Sequence, residues 1–531
     1  MKDGLVITLG HGASVTLIIG GEITNGYQLE RLTGIKGDSR FPYRCIEEIE
    51  KFHNIPEDIP IYVSHWHPSG HVSQMSDKHW NLKQLKARFP DSIVTSTNTH
   101  TTHHDTHAYS AMAYNHKMGK GEHIFVADGF GTLGEVISIY EFDGQFPVLK
   151  KRLFGFDGSI GLLYQYATDY VGWKQNQDEW KLNAMANQLE DVEVRHAIRQ
   201  EAIKHTEKML DIQMRRSIEN PGDPIYNLGA LSYTHSEVVK TLDALFEPTD
   251  KARIAYFLQN VVTMVVRHWL HLLRIKKCTF VGGCFLNVQL NGELAKDLDE
   301  ICVMPLSGDE GAGLGIYKYF NNKFIIPDDL CWGFRSLVGT KARTNILYTT
   351  TPQAAVRSLL EKNRIVNIIR NTMEFGPRAY CNTSTLALPT EENRAYINKL
   401  NNRTTHMPMC PVLNIDQFNL VFEKSNVVRS VEHMIIALPW KEDFKRVYPG
   451  VTYTTAEGEV TGRPQVIDTD HWLYNVVDYV GPLINTSFNN HGQPIVYNMG
   501  QIVEAHEFMM ANDDEKRVTT VVDISGTNKP K

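Results

Sequence analysis

The chain has 531 residues, 42% hydrophobic and 22% charged, a composition typical of a soluble globular protein and a length beyond one hydrophobic core, so two or more domains are expected. A formal net charge of -7 at pH 7 argues against a surface that attracts DNA, RNA or anionic membrane in general, while leaving room for a local basic cleft. No apolar run approaches the ~20 residues that span a bilayer, residues 1–10 lack the basic head and cleavage site of a signal peptide, and seven cysteines form no close CxxC pair, so the chain reads as a cytoplasmic enzyme with no membrane partner.

Residues 5–9 and 15–19 are short, β-branched apolar runs. They predict two strands joined by a tight turn bearing His11-Gly12-Ala13-Ser14, with Gly20-Gly21 turning into residues 22–24. Such a turn presents backbone N–H groups and His11 to a ligand. A strand at 61–63 precedes a histidine-rich loop with His65, His67 and His71. The run His103-His104-Asp105-Thr106-His107 reads as a helix, and the strand at 124–127 ends at Asp128-Gly129. Residues 252–277 are expected to form one or two buried helices carrying Arg267, Arg274, Lys276 and Lys277, followed by a strand from Phe280 to Gly282-Gly283.

The polar stretch 339–351 places a domain boundary near residue 345, giving domains 1–345 and 346–531. The second part is an α+β reading: a helix at 352–363, strands at 364–369 and 434–438, and an α/β portion ending in the charged tail 513–517 and a frayed 526–531. No internal repeat or low-complexity tract is visible.

His103 and His107 are four apart, so on a helix they share a face and can meet one cation. Asp128 and Asp309 can complete the site with oxygen, a mixed donor set that favours Fe, Mn or Zn over Ca. The same residues also read as a surface HxxxH pair with two turn or capping aspartates. Gly282-Gly283 with Asn287, and Gly308 in the run 305–315, are places where backbone can approach the phosphate of a nucleotide. Neither is a Walker or dinucleotide motif, and tight helix–strand packing is the alternative.

With these segments in order, the chain resembles the O-carbamoyltransferase family of antibiotic and nodulation-factor carbamoylation enzymes. The resemblance covers most of residues 5–515 and is strongest in 103–108, 305–315, Glu374-Phe-Gly-Pro-Arg378-Ala and Asn485-Thr-Ser-Phe-Asn489. It implies an α/β N-terminal domain of the actin and sugar-kinase type, two-lobed and like the tRNA threonylcarbamoyl-transfer protein. A C-terminal domain of the YrdC/Sua5 type would follow. The family's metal ligands fall on His103, His107, Asp128 and Asp309, with iron the implied metal. Its His-Asp-Ala-Ser loop becomes His11-Gly12-Ala13-Ser14, its Glu-Glu-Arg and downstream lysine become Glu30-Arg31 and Lys36, and its Gly-Glu-Gly-Lys-x-Met segment is loosened to 179–185.

Further on, Arg378 matches the first phosphate-binding arginine, and Gly-Asn-Arg-Ser becomes Cys381-Asn382-Thr383-Ser384. The run Lys-x-Arg-Glu-x-Phe-Arg-Pro becomes 401–408, with Asn401, Arg403, His406 and Met407. Cationic positions are thus lost at Thr383, Asn401 and Met407, while Arg378 and Arg403 remain. Arg463 and the nucleotide-contacting block Asn485, Ser487, Asn489 are kept, with Gln493 where Glu is usual.

The resemblance implies two steps. Carbamoyl phosphate and ATP, the latter with Mg, form carbamoyl adenylate in the C-terminal domain, and the carbamoyl group then passes to an acceptor hydroxyl at the metal-bearing domain. Arginine suits the first step because its planar fork grips phosphate in bidentate fashion. His11 is placed as general base for the second, since an imidazole titrates in water near pH ~6.5.

Sugar-like antibiotics, oligosaccharides and hydroxymethylated pyrimidines all offer a hydroxyl. The altered 179–185 segment is compatible with a base-modifying branch acting on 5-hydroxymethylcytosine, free or in DNA, where a duplex target has to flip. The alternatives are threonylcarbamoyl transfer to tRNA and a non-catalytic nucleotide-binding regulator.

Overall fold

The computed structural model describes residues 2–64, 83–96, 101–216, 228–335, 337, 346–403, 409–423 and 425–525. His65, His67, His71, His406, Met407, the boundary near 345 and the tail 526–531 lie outside them. The architecture is mixed α/β, and three large sheets organise it.

The first sheet contains β1 (Gly4–Thr8), β2 (Ser14–Ile19), β3 (Glu22–Gln28), β4 (Ile61–Ser64) and β5 (Val94–Ser96) in the order β3-β2-β1-β4-β5. β1 and β2 pair antiparallel from Gly4↔Ile18 to Thr8↔Ser14, so the expected hairpin forms and lifts His11 above the sheet end. β1, β4 and β5 run parallel. The second sheet contains β6 (His123–Ala127), β7 (Glu135–Phe142), β8 (Pro147–Phe154), β9 (Lys277–Val281) and β10 (Glu300–Val303) in the order β10-β9-β6-β7-β8.

Three strands in antiparallel sequence followed by two parallel ones describe both sheets, with β6 taking the place of β1. The repeat is topological and leaves no sequence trace. Its consequence is that the turn after β1, carrying His11, and the turn after β6, carrying Asp128, occupy equivalent ends of equivalent strands.

Helix His103–Tyr114 packs against helix Ala312–Phe320. The contact depends on Gly315, where any Cβ would overlap the carbonyl oxygen of Thr106. That close approach brings the histidine-bearing helix to the turn that carries Asp309.

The third sheet has seven strands, β12 (Ile346–Thr349), β13 (Ile365–Ile369), β15 (Thr383–Ala387), β16 (Cys410–Asn414), β20 (Gln465–Ile467), β21 (Leu483–Ser487) and β22 (Val518–Asp523), ordered β12-β22-β13-β15-β21-β16-β20. Two short strands, β11 (Gly333–Phe334) and β14 (Thr372–Met373), pair with each other and connect residues before and after the expected boundary. β17 (Leu438–Pro439), β18 (Tyr453–Thr454) and β19 (Val460–Gly462) form a small separate sheet.

Four expectations are corrected in part. The run 252–277 forms one helix, Lys251–Leu272, within the expected one or two, but Arg274, Lys276 and Lys277 fall outside it and Lys277 opens β9, because Arg274 at φ 53° and Ile275 turn the chain. The strand expected at 434–438 shrinks to two residues, since Met434 has φ 55°. The polar stretch up to 351 contains β12. The charged tail 513–517 is followed by β22, a strand in the body of the sheet. Among the described residues no helix is long and apolar enough to cross a membrane.

Candidate functional site

Thr102 caps helix His103–Tyr114 by accepting the Asp105 N–H at 3.2 Å, and Asp105 returns the bond to the Thr102 N–H at 2.9 Å, a reciprocal capping box. The first helical turn is therefore fixed, and with it both histidines. His103 and His107 are 2% and 0% exposed. Their Nε2 atoms lie 3.1 Å apart. His103 Nε2 is 3.1 Å from Asp128 Oδ2 and 3.3 Å from Asp309 Oδ1, and His107 Nε2 is 3.3 and 3.7 Å from the same atoms.

A cation held at ~2.0 to 2.2 Å by four tetrahedral donors sets those donors roughly 3.3 to 3.6 Å apart. The four residues match that spacing, and they form the one such ligand group among the described residues. Two imidazoles and two carboxylates offer two negative charges to a divalent ion, so the donor set fits a metal. Burial alone would lower the His107 pKa, but hydrogen bonds and charge from Asp128 and Asp309 push it up to about 9. Burial would likewise raise Asp128, yet His103 and His107 hold it well below the usual carboxylate range. Two carboxylates facing two imidazoles at these distances form a group that could hold a cation.

Behind the pair, His104 faces the other way, its Nδ1 2.8 Å from Ser138 Oγ and its N–H donating to Glu135 at 2.8 Å. Arg152 bridges Asp105 at 2.5 Å and Glu135 at 3.1 Å. This buried network pins the back of the helix to the second sheet.

A cavity of about 590 Å³ opens in front of the aspartates. His11, Lys36, Asp128, Gly283, Asn287, Gly308, Asp309, Arg378, Arg403, Arg463, Asn485, Ser487 and Asn489 all line it. His103 and His107 lie behind the two aspartates. Gly282 does not line it; with φ 104°, and with a Cβ position that would overlap the Ala127 carbonyl, it serves the packing of β9 on β6. Gly283 stays close to the metal group instead, its Cβ position 3.0 Å from Asp128 Oδ1.

Gly12 explains its own departure from the resembled motif. A Cβ there would overlap the Glu310 backbone nitrogen and lie 2.9 Å from its Cα. Lys36 donates to the Gln177 carbonyl at 3.0 Å and lies 5.5 Å from the Trp180 ring. Burial lowers its pKa. Asn287 caps its helix by accepting the Leu290 N–H at 3.0 Å and also accepts from Asn183 at 2.9 Å.

The opposite wall carries the arginines. Arg378 and Arg403 have no carboxylate at ion-pair distance among the described residues. Arg378 donates to the Leu286 carbonyl at 3.5 Å and Arg403 to Thr486 Oγ1 at 2.7 Å. Burial, and then the like charge of Arg463, push both guanidinium groups down to about 10. Half-buried cations that repel one another could be compensated by a bound anion.

The loop bearing Arg378 is shaped by Glu374, whose Oε1 accepts the N–H groups of Tyr380, Asn382 and Thr383 at 2.9, 2.8 and 2.8 Å. Asn485 donates to the Ala379 carbonyl at 2.8 Å, and Asn489 ties its own turn to the Gln493 carbonyl at 2.8 Å. Asn401, at a lost cationic position, is buried and caps its helix.

Sequence reasoning missed Glu310, Trp180, Asn183 and His491 on the cavity wall. Glu310 adjoins a named ligand, and burial pushes it up to about 7. Burial, and then the charge of Arg403, lower His491, whose ring meets Trp180 edge-on at 6.2 Å.

Residues 78–316 match the family model described as Carbamoyltransferase N-terminus, and residues 357–514 that described as Carbamoyltransferase C-terminus. The chain belongs to the carbamoyltransferase family. The chain is 26% identical, over 95% of its length, to the uncharacterized protein MJ1051 of Methanocaldococcus jannaschii, covering 96% of that protein. It is 23% identical, over 93% of its length, to nodulation protein NolNO of Sinorhizobium fredii, covering 76% of it.

Over 42% of this chain and 44% of the relative, it is 26% identical to the 3'-hydroxymethylcephem-O-carbamoyltransferase of Amycolatopsis lactamdurans. Among solved structures, full-length HypF in its phosphate- and nucleotide-bound form aligns over 60% of this chain and 46% of its own, at 17% identity and a TM-score of 0.32.

Proposed function

We propose that the protein is an ATP- and metal-dependent O-carbamoyltransferase that activates carbamoyl phosphate as carbamoyl adenylate and passes the carbamoyl group to a hydroxyl. The observation that carries the reading is the single cavity that joins a four-donor cation group to two half-buried arginines with no carboxylate at ion-pair distance among the described residues. Residues 346–531 form the adenylate on the arginine wall, and residues 1–345 perform transfer. The pair of equivalent five-stranded sheets supports a two-lobed, actin-like reading of that first part, and a YrdC-like one is proposed for the second. The seven unpaired cysteines support a reducing, cytoplasmic setting.

Water releases phosphate from carbamoyl phosphate to leave carbamate, whose oxygen attacks the α-phosphorus of ATP and expels pyrophosphate. The acceptor oxygen then attacks the carbamoyl carbon and AMP leaves. Arg378, Arg403 and Arg463 hold the phosphates of ATP, supplied with Mg, in planar contacts that a lysine would not reproduce. His103, His107, Asp128 and Asp309 hold one divalent ion, iron by resemblance with Zn or Mn as the other candidates, and it supplies Lewis-acid stabilisation of charge on the leaving group. His11, on the turn beside Asp309, takes the acceptor proton, and Lys36 supplies a cation on the same side.

The 3'-hydroxymethyl group in the name of one relative supports a hydroxymethyl acceptor here, either on a sugar-like small molecule or on 5-hydroxymethylcytosine, free or in DNA. Pyrophosphate release from ATP that requires carbamoyl phosphate tests the first step. Mass spectrometry of a panel of hydroxyl acceptors, 5-hydroxymethylcytosine DNA among them, tests the second by a gain of one carbamoyl group. Release without carbamoyl phosphate, or no release, rejects the reaction.

A further inference from the structure

Arg335 is 0% exposed, yet it forms no ion pair among the described residues. It follows β11, and its N–H donates to the Asn371 carbonyl at 2.9 Å, so it sits where the chain passes from the first two sheets toward the third. One of its nitrogens donates to Thr383 Oγ1 and, at 3.2 Å, to the Val496 carbonyl; its Nε and Nη1 find no acceptor among the described residues. Thr383 Oγ1 in turn donates to Glu374 Oε2 at 2.7 Å.

A hydroxyl has one proton to give and lone pairs to receive, so the order Arg335 to Thr383 to Glu374 uses both capacities. Glu374 is 1% exposed and has no ion pair of its own among the described residues. A buried carboxylate is costly unless charge and hydrogen bonds compensate it. Glu374 holds the 380–383 backbone through three N–H groups, and Arg335 reaches it through the Thr383 hydroxyl. The attraction shows on the other side too, where Glu374 opposes the effect of burial on Arg335. The resembled motif carries arginine at position 383, where this chain has threonine.

We propose that Arg335 is a positioning residue for the phosphate loop, supplying through Thr383 the positive charge opposite Glu374 and thereby holding Arg378 at the cavity wall. The cation lost from position 383 is restored from position 335, on a segment outside the resembled motif. The link from the loop to adenylate formation rests on the proposed reaction; the link from Arg335 to the loop does not.

Hydrogen exchange of the Tyr380, Asn382 and Thr383 amides in the full-length protein tests it, with pyrophosphate release measured in parallel. Arg335→Met is expected to lower protection of these three amides about tenfold while the β13 amides keep theirs, and to raise the KM for ATP by a similar factor with metal content unchanged. Thr383→Val, which removes only the bridging hydroxyl, is expected to give the same local loss. Two second changes should recover protection to within about threefold: Arg335→Met with Thr383→Arg, which returns the cation, and Arg335→Met with Glu374→Gln, which removes the charge it answers.

Unchanged protection in Arg335→Met and Thr383→Val overturns the proposal, as does a loss spread evenly over the chain or a failure of both double variants to recover. If the wild-type protein releases no pyrophosphate, the proposed reaction fails and amide exchange still decides the role of Arg335.

Discussion

Arg31 donates to the carbonyl oxygen of Gly376 at 2.6 Å, a hydrogen bond between residues 345 positions apart in the chain. Gln28 accepts the N–H of the same glycine at 2.9 Å. The end of β3 and the short helix Leu29–Thr33 after it therefore grip both backbone groups of a residue two places from Arg378. A charge-assisted bond of this kind contributes roughly 1.5 to 3 kcal/mol. Arg31→Met is expected to lower the unfolding free energy by about 2 kcal/mol and to weaken pyrophosphate release. Urea denaturation checks the first, and an unchanged midpoint rejects it.

Arg378 predicts the reverse relation between stability and function. Its charge is half-buried beside Arg463 with no carboxylate at ion-pair distance among the described residues, so Arg378→Met should stabilise the empty protein, by about 1 kcal/mol at pH 7, while abolishing pyrophosphate release and all product. Added pyrophosphate should raise the melting temperature of the wild type and leave the variant unmoved. His11→Ala should instead retain pyrophosphate release and lose carbamoylated acceptor, because His11 lies on the aspartate side of the cavity. Equal loss of both signals in His11→Ala removes it from the role of base.

Metal analysis addresses the four-residue group. One ion per chain is expected in the wild type, and none in His107→Ala or Asp309→Ala, with circular dichroism preserved in both. Full occupancy in either variant rejects that ligand.

Gly12→Asp restores the residue usual in the resembled motif and should nonetheless be harmful. Its Cβ meets backbone at Glu310, which cannot swing aside as a side-chain tip can. The Asp309–Gly311 turn must shift, and the expected result is reduced metal occupancy with a loss of roughly 1 to 3 kcal/mol of stability. Normal metal content and melting temperature in the variant would show that the turn tolerates the side chain.

His205 sets an acid limit on the helical layer of the second sheet. Burial lowers its pKa to about 4, and its ring packs on Phe257 at 5.5 Å. Between its folded and unfolded values the unfolded chain binds the extra proton, so stability is present above pH ~6.5 and declines as pH falls toward 4. The change amounts to about 2 kcal/mol. His205→Phe should flatten that part of the stability profile, and an unchanged slope between pH 6.5 and 4 rejects the assignment.

Much of the site was legible because its chemistry is local. His103 and His107 announce themselves by spacing, the β1 turn by its glycines, and Asp128 and Asp309 by their places at a strand end and in a glycine-rich run. What stayed hidden depends on contacts between distant residues. Arg335 looks like an isolated arginine until Thr383 and Glu374 are brought beneath it, and Trp180 meets His491 only across the cavity. Local backbone also overruled apolar pattern, as at Met434, where a left-handed residue stops a strand that its neighbours favour. The twofold recurrence of sheet order had no counterpart in residue identity, because a strand order constrains which faces are apolar and leaves the individual side chains free.

β22 is inserted between β12 and β13 and runs parallel to both. During synthesis, the strands of the first two sheets are all available once residue 303 has emerged, whereas the seven-stranded sheet waits for residues 518–523. Until then β12 and β13 have no neighbour between them, and the apolar residues Val521 and Val522, both 0% exposed in the finished fold, are missing from its middle. The arginine wall is therefore the later of the two to mature, and a ribosome stalled shortly before residue 518 would display the two histidines and two aspartates facing an unfinished wall.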